Sequence, residues 1–139
     1  MNVVGVWKLL SLQIEDAASG ALVQPWGDAP SGCLTYTENG HVTAVLSASG
    51  RQALCGAPER AIEDRAQLYK TFHAYAGTYS IDAGVLTHRV QVSSDPAWVG
   101  SEQIRLAHLD DGILTLSTPP LQSPDGMTYK NTLSWTRAE

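Results

Sequence analysis

Two polar side chains on consecutive predicted β-strands, His88 and Arg105, are the first candidates for chemistry in this sequence. An imidazole titrates near neutral pH and can move a proton, whereas a guanidinium can hold a negatively charged oxygen. The two strands cover residues 85–93 and 101–109 and are joined by a short loop. We therefore expect the strands to pair as neighbours and to bring both side chains into one cavity.

His88 falls on the apolar row of its strand. Successive side chains of a strand point to opposite faces, so this row predicts an imidazole on the inward face. Two interpretations remain open: a core or rim histidine satisfied by one hydrogen bond, and a ligand-binding or acid–base residue. The apolar members of the row are Leu86, Val90 and Val92.

Arg105 shares one face of its strand with Gln103 and Ala107, while Ile104 and Leu106 take the other face. The pattern alone leaves open whether this polar pair faces solvent or the interior. An inward Arg105 would need an anionic partner, which is either a buried carboxylate or a carboxylate or enolate of a ligand.

A further polar residue, Asn131, interrupts an otherwise apolar row on the last predicted strand. Its amide either contacts a ligand or makes a structural hydrogen bond. Large aromatic side chains elsewhere either line a pocket, with broad faces and a few polar tips, or fill the core. These aromatic candidates are Trp26, Tyr36, Tyr75, Tyr79, Trp98 and Tyr129.

Composition and missing motifs narrow the function classes. The 139 residues include 9 basic and 14 acidic side chains, for a net charge of −5, and the basic ones are scattered. This pattern argues against a nucleic-acid partner and against an anionic membrane surface. Glycine-rich nucleotide loops and a nucleophile elbow are absent, and the four histidines lack metal-ligand spacing. We therefore expect neither a cofactor nor a metal.

The chain starts without the basic region of a secretion signal and runs directly into a strand-like segment, and its apolar stretches are too short to span a membrane. Its two cysteines are Cys33 and Cys55. Two thiols in a chain without such a signal are more often buried or idle than bridged. These features favour a cytoplasmic protein.

Short β runs separated by turn residues dominate the chain, and Asn39-Gly40 between two of them is a strong hairpin signal. One helix is predicted over residues 58–73, because a proline begins it and acidic residues follow. Its apolar stripe consists of Ile62, Ala66, Tyr69 and Phe72. The predicted strands cover residues 5–14, 32–37, 41–47, 75–81, 85–93, 101–109, 113–118 and 128–137.

These elements predict an all-β fold, because an α/β sheet would need helices between its strands. We expect residues 1–139 to form a single domain. Its fold would be one antiparallel β-barrel of about 8–10 strands, with the amphipathic α-helix packed at a barrel mouth. A closed barrel of about eight strands can hold one small ligand.

Several sequence motifs carry a family resemblance. Gly5-Val6-Trp7 on the first strand resembles the Gly-x-Trp signature of lipocalins and their calycin relatives, and Arg137 resembles the basic residue that covers this tryptophan. Nearly the whole chain is similar to bacterial and fungal lipocalin-like domain proteins. The matching runs are Pro25-Trp26-Gly27, residues 32–37, Tyr75-Ala76-Gly77-Thr78-Tyr79, His88, residues 96–105, residues 114–118 and Leu133-Ser134-Trp135.

The resemblance implies a lipocalin-like (calycin) barrel in which Arg137 stacks on Trp7 and in which Gln103 and Arg105 face inward. It says little about function, because one fold supports both carriers and enzymes. Secreted lipocalins usually carry a signal peptide and a disulfide. The chain shows neither signature, so we do not expect extracellular transport.

The expected function is the binding of a small, mostly apolar organic ligand with a carboxylate, carbonyl or phenol group, by an intracellular carrier or sensor. The alternative is a cofactor-independent isomerase, cyclase, lyase or hydratase of specialised metabolism, in which His88 or Tyr79 moves a proton and Arg105 stabilises an oxyanion. We expect a small-molecule partner and a monomer or homodimer. The candidate ligand-binding residues are Trp26, Tyr36, Trp98, Gln103, Tyr129 and Asn131.

Overall fold

A computed structural model describes residues 1–54 and 61–138. These residues form ten strands and one α-helix, α1, at Ala61–Lys70. The strands are β1 (Gly5–Asp16), β2 (Leu22–Val23), β3 (Ser31–Tyr36), β4 (His41–Ser47), β5 (Phe72–Asp82), β6 (Val85–Ser93), β7 (Glu102–Asp110), β8 (Ile113–Ser117), β9 (Leu121–Gln122) and β10 (Thr128–Arg137).

Eight of the strands close into an antiparallel barrel in the order β1-β3-β4-β5-β6-β7-β8-β10, and β10 pairs back onto β1. The short strands β2 and β9 extend the sheet beside β1 and β10. This architecture confirms the predicted all-β antiparallel barrel.

Tight turns join several neighbouring strands and set their register. The β5–β6 turn places Ala83 and Gly84 at positive φ, and the β7–β8 turn does the same with Asp111 and Gly112. Two successive residues at positive φ match the right-handed twist of the strands, and glycine adopts this conformation without steric cost. β5 and β6 are therefore neighbours in the barrel, and so are β7 and β8.

One end of the barrel is closed by the first and last strands. The guanidinium carbon of Arg137 lies 4.3 Å from the centre of the Trp7 ring, which confirms the expected cation–π contact. Arg137 also donates hydrogen bonds to the carbonyl oxygens of Val4 and Asn2, and the Trp7 indole donates to that of Val3. The N-terminal segment is thus attached to the end of β10.

The helix turns a different face to the barrel from the one predicted. Ile62 is 80% exposed and Tyr69 is 55% exposed, and Ala66 is exposed as well. The half-buried helix residues are instead Ala61, Asp64 and Leu68. The predicted packing stripe is therefore wrong. Three of its members are exposed, and the fourth, Phe72, belongs to β5 rather than to the helix. The predicted helix start at residue 58 lies outside the described residues.

A bulge shifts the register of β6 against β5 between Ala76 and Gly77. A Cβ atom on Gly77 would clash with the carbonyl oxygen of Arg89, so only glycine allows the two backbones to approach here. The extra residue reverses the alternation, so that Val90 is buried but Val92 is 61% exposed. The predicted inward position of Val92 is therefore wrong.

Two further observations concern the cysteines and the length of the helix. Cys33 is an exposed free thiol, not a buried one, and Cys55 lies outside the described residues. Within residues 1–54 and 61–138, no helix is both long enough and apolar enough to cross a membrane.

Candidate functional site

A cavity of about 190 Å³ opens inside the barrel at the end opposite the Trp7–Arg137 contact. Aliphatic and aromatic side chains form most of its wall, and a few polar groups converge on it, as in small-molecule sites generally. The described lining residues are Leu12, Trp26, Leu34, Ala44, Leu46, His73, Tyr75, His88, Trp98, Arg105, Leu116, Asn131, Leu133 and Trp135.

His88 lies at the centre of a chain of three hydrogen-bonded side chains. Its Nε2 is 2.7 Å from the Tyr36 hydroxyl, and its Nδ1 is 2.7 Å from the Tyr75 hydroxyl. Tyr36 comes from β3, Tyr75 from β5 and His88 from β6, so the curvature of the barrel brings the three together. This chain of hydrogen bonds runs from the buried core at Tyr36 to the cavity wall at Tyr75.

Burial keeps these three groups uncharged. It lowers the pKa of His88 to about 3, with a further lowering by the positive charge of Arg105. Burial raises the pKa of Tyr75 to about 12 and that of Tyr36 well above its ordinary value, although Arg105 opposes both changes. At neutral pH, His88 is therefore a neutral imidazole that donates from one nitrogen and accepts at the other.

Arg105 lines the same cavity from β7, two positions along from Gln103, which pairs with His88. Burial lowers the pKa of the guanidinium, but arginine does not lose its proton in proteins. Its Nη1 donates a 2.8 Å hydrogen bond to the carbonyl oxygen of Ile104. Across the described part of the chain, no carboxylate forms an ion pair with Arg105.

Three buried polar atoms in the described residues have no hydrogen-bond partner: His73 Nε2, Asn131 Oδ1 and Trp135 Nε1. All three residues line this cavity. Burial also lowers the pKa of His73, against the opposing effect of Asp95. The residues of the cavity wall therefore include an unpaired acceptor on Asn131, an unpaired donor on Trp135 and an unpaired group on His73 that can do either.

Aromatic rings flank the cavity opening. The Trp98 ring centre lies 4.4 Å from that of His73, edge to face, and 5.3 Å from that of Tyr75. Trp98 ends a short 3-10 turn, Pro96–Trp98, which begins at the Asp95 cap. On another loop, the Trp26 carbonyl accepts a 2.9 Å hydrogen bond from the Ser49 hydroxyl.

Five of the predicted site residues line the cavity together: His88, Arg105, Trp26, Trp98 and Asn131. Tyr36 lies behind His88 as its hydrogen-bond partner. Tyr79, Gln103 and Tyr129 are absent from the described lining. The Tyr79 hydroxyl donates to the Thr37 carbonyl, and the Gln103 amide donates to the Ser101 hydroxyl, so both polar groups are used elsewhere.

Sequence reasoning missed His73 and Trp135 as cavity residues and left Tyr75 out of the candidate catalytic and ligand-binding residues. Tyr75 and Tyr79 share the inward row of β5, and the same row extends back to His73. The predicted helix ended at residue 73, whereas β5 begins at Phe72, and this boundary error concealed His73. The strand parity of Trp135 with Asn131 was the signal for its position.

Two comparisons with known proteins agree with this geometry. A family model described as a lipocalin-like domain matches residues 4–138. A protein of Aspergillus oryzae named 4'-hydroxy-3'-methoxypropiophenone carrier protein ppsC is 30% identical over 81 residues. The matched region covers 52% of this chain and 73% of that protein.

Proposed function

We propose that this chain, which belongs to the lipocalin-like domain family, binds one small, mostly apolar organic molecule inside its barrel and acts as a cytoplasmic carrier. One observation carries the proposal: the three described residues that have an unpartnered buried polar atom, His73, Asn131 and Trp135, all line one cavity. Each such atom costs about 1–3 kcal/mol when it lacks a partner. A ligand with matching donors and acceptors removes that cost.

The volume of the cavity limits the size of the ligand. Sites for drug-sized molecules measure about 300–1,000 Å³, and an apolar cavity of about 150 Å³ holds one benzene molecule. The 190 Å³ here suits a single ring with short substituents. The aromatic rings of Trp26 and Trp98 at the opening also favour an aromatic ligand.

The name of the similar Aspergillus protein supports the same ligand class. The molecule in that name is one aromatic ring bearing a hydroxyl, a methoxy group and a ketone. Its size agrees with the cavity, and its three oxygens could pair with the polar groups of the wall. We therefore propose a single-ring aromatic ketone or phenol as the ligand of this chain.

Calorimetric titration with 4'-hydroxy-3'-methoxypropiophenone, hereafter the phenolic probe, tests the proposal. We expect one binding site per chain. Asn131→Leu removes the unpartnered acceptor and should weaken binding about three- to tenfold, the value of one hydrogen bond. Lys130→Gln, on the exposed face of the same strand, is the matched control and should not change affinity. Absence of binding, or equal effects of the two variants, would contradict the proposal.

A cofactor-independent proton-transfer enzyme is the second candidate function, and the Tyr36–His88–Tyr75 chain is the observation that favours it. Both ring nitrogens of His88 already bond to tyrosines, so a substrate proton would reach the imidazole only through Tyr75. In deuterated water, an enzyme of this kind would exchange protons next to the carbonyl of the phenolic probe faster than buffer does. A carrier would bind the probe without accelerating the exchange.

A further inference from the structure

We infer that the cavity binds its ligand in an anionic form, with the negatively charged oxygen held by the Arg105 guanidinium and the Tyr75 hydroxyl. The inference rests on the proposed function, because it concerns the charge of the ligand that the same cavity takes. The ligand class is a small aromatic molecule with an acidic oxygen, such as a phenol with a carbonyl group on its ring.

The first argument is the charge of Arg105. Among the described residues, the titratable groups that line the cavity besides Arg105 are His73 and Tyr75 from β5 and His88 from β6, with Tyr36 of β3 behind them. None of these groups is a carboxylate. Asp95 lies near the opening, where its charge acts on His73 and its side chain accepts a hydrogen bond from the Ala97 backbone. A partly buried cation without a counter-ion among the described residues is unfavourable, and an anionic ligand supplies the missing charge.

The second argument is the direction of the hydrogen bonds along the Tyr36–His88–Tyr75 chain. Tyr36 is 1% exposed, and its hydroxyl has one recorded partner, His88 Nε2. If Nε2 carried the proton, the buried Tyr36 hydrogen would have no acceptor, which is costly. Tyr36 therefore donates to Nε2, and the proton of the neutral imidazole resides on Nδ1.

This tautomer determines what Tyr75 offers to the ligand. His88 Nδ1–H donates to the Tyr75 oxygen, so the Tyr75 hydrogen is free to point into the cavity. Because burial raises the pKa of Tyr75 to about 12, its hydroxyl keeps that hydrogen at neutral pH. A cationic donor and a neutral donor thus line the same space, and such a pair stabilises a negatively charged oxygen better than a protonated hydroxyl.

An absorption titration of the phenolic probe tests the inference. A phenol with a carbonyl group in the para position absorbs at longer wavelength when it is ionised, so the spectrum reports its charge. We expect the pKa of the probe bound to the wild-type protein to be at least one unit lower than the pKa of the free probe. A bound pKa equal to or above the free value would overturn the inference.

Two variants assign the effect to Arg105. Arg105→Gln should raise the bound pKa of the probe, whereas Arg89→Gln, which removes a charge from the outer face of the adjacent strand, should leave it unchanged. Arg105→Gln should also reduce the affinity for the probe at least tenfold more than the affinity for the methyl ether of the probe, which cannot ionise. Equal pKa changes in the two variants would contradict the assignment.

The titration separates this inference from the proposed function. Binding of the probe as the neutral phenol would overturn the inference and leave the carrier proposal standing. Failure of the probe and of its methyl ether to bind would overturn both. The measurement on the wild-type protein is sufficient for this decision even if Arg105→Gln does not fold.

Discussion

Removal of a single oxygen from the buried hydrogen-bond chain should destabilise the protein. Tyr36→Phe keeps the ring but removes the hydroxyl that is hydrogen-bonded to His88 Nε2. Since His88 is 1% exposed, no solvent replaces that donor, and one imidazole nitrogen loses its partner in either tautomer.

The magnitude follows from the cost of a buried unpaired polar atom, which is about 1–3 kcal/mol. For a chain of this length, each kcal/mol corresponds to a change in Tm of about 4 °C, so we expect Tyr36→Phe to lower Tm by about 4–12 °C. Tyr79→Phe is the matched control, because its ring packs 4.7 Å from that of Tyr36 and its half-buried hydroxyl donates to the Thr37 carbonyl. Water can replace the Tyr79 hydroxyl as the donor, so the control variant should lose less than about 1 kcal/mol in its free energy of unfolding.

The assay is urea unfolding of both variants and of the wild-type protein at pH 7, followed by tryptophan fluorescence and by circular dichroism. Agreement between the two probes establishes a two-state transition and allows the free energies of unfolding to be compared. If Tyr36→Phe loses no more stability than Tyr79→Phe, the Tyr36–His88 bond does not have the energetic role described here.

Three further predictions concern other parts of the molecule. The pKa of His88 is about 3 in the folded protein and about 6.5 in the unfolded chain. Between these pH values the unfolded chain binds more protons than the folded protein. The free energy of unfolding should therefore fall by about 1.4 kcal/mol for each pH unit as the pH is lowered. Urea unfolding of His88→Gln from pH 7 to pH 4 should show a smaller slope. Arg137→Ala should lower the free energy of unfolding by about 0.5–2 kcal/mol through loss of the Trp7 contact, yet leave calorimetric affinity for the phenolic probe unchanged, because Arg137 lies at the opposite end of the barrel. Gly77→Ala should destabilise the protein by about 1–3 kcal/mol in thermal unfolding, because its Cβ would clash with the Arg89 carbonyl; a Tm equal to that of the wild type would contradict the close approach at the bulge.

Much of the barrel could be predicted from the sequence because its elements are encoded locally. The alternation in β10 gave the observed bounds, Thr128–Arg137, and Asn39-Gly40 predicted the β3–β4 hairpin. Strand parity likewise predicted the inward face for His88, whereas the inward position of Arg105 was implied by the family resemblance and not by parity. These features depend on periods of two residues and on turn chemistry, both of which are visible in a single sequence.

Other features depend on tertiary structure and could not be predicted. The predicted inward position of Val92 was wrong because a bulge in β6, opposite Gly77, changes the alternation of inward and outward side chains. Such a bulge leaves no signal in the alternation of a single sequence. Ile62 of the predicted stripe is exposed and Leu68 is half-buried, because the period of a helix does not specify which of its faces the rest of the fold covers. The Tyr36–His88 bond joins β3 and β6, which are not adjacent strands, so only closure of the barrel creates it.

The central claim, that a small aromatic molecule occupies the cavity, is tested most directly by the four indole N–H signals in a nitrogen–proton correlation spectrum. Trp26, Trp98 and Trp135 line the cavity, and the Trp135 Nε1–H has no partner within the described chain. Trp7 is an internal control, because its indole donates to the Val3 carbonyl at the closed end. We predict that saturation with the phenolic probe shifts the three cavity signals, that of Trp135 most of all, and leaves the Trp7 signal in place. No shift at saturation, or a Trp7 shift as large as the others, would contradict the account.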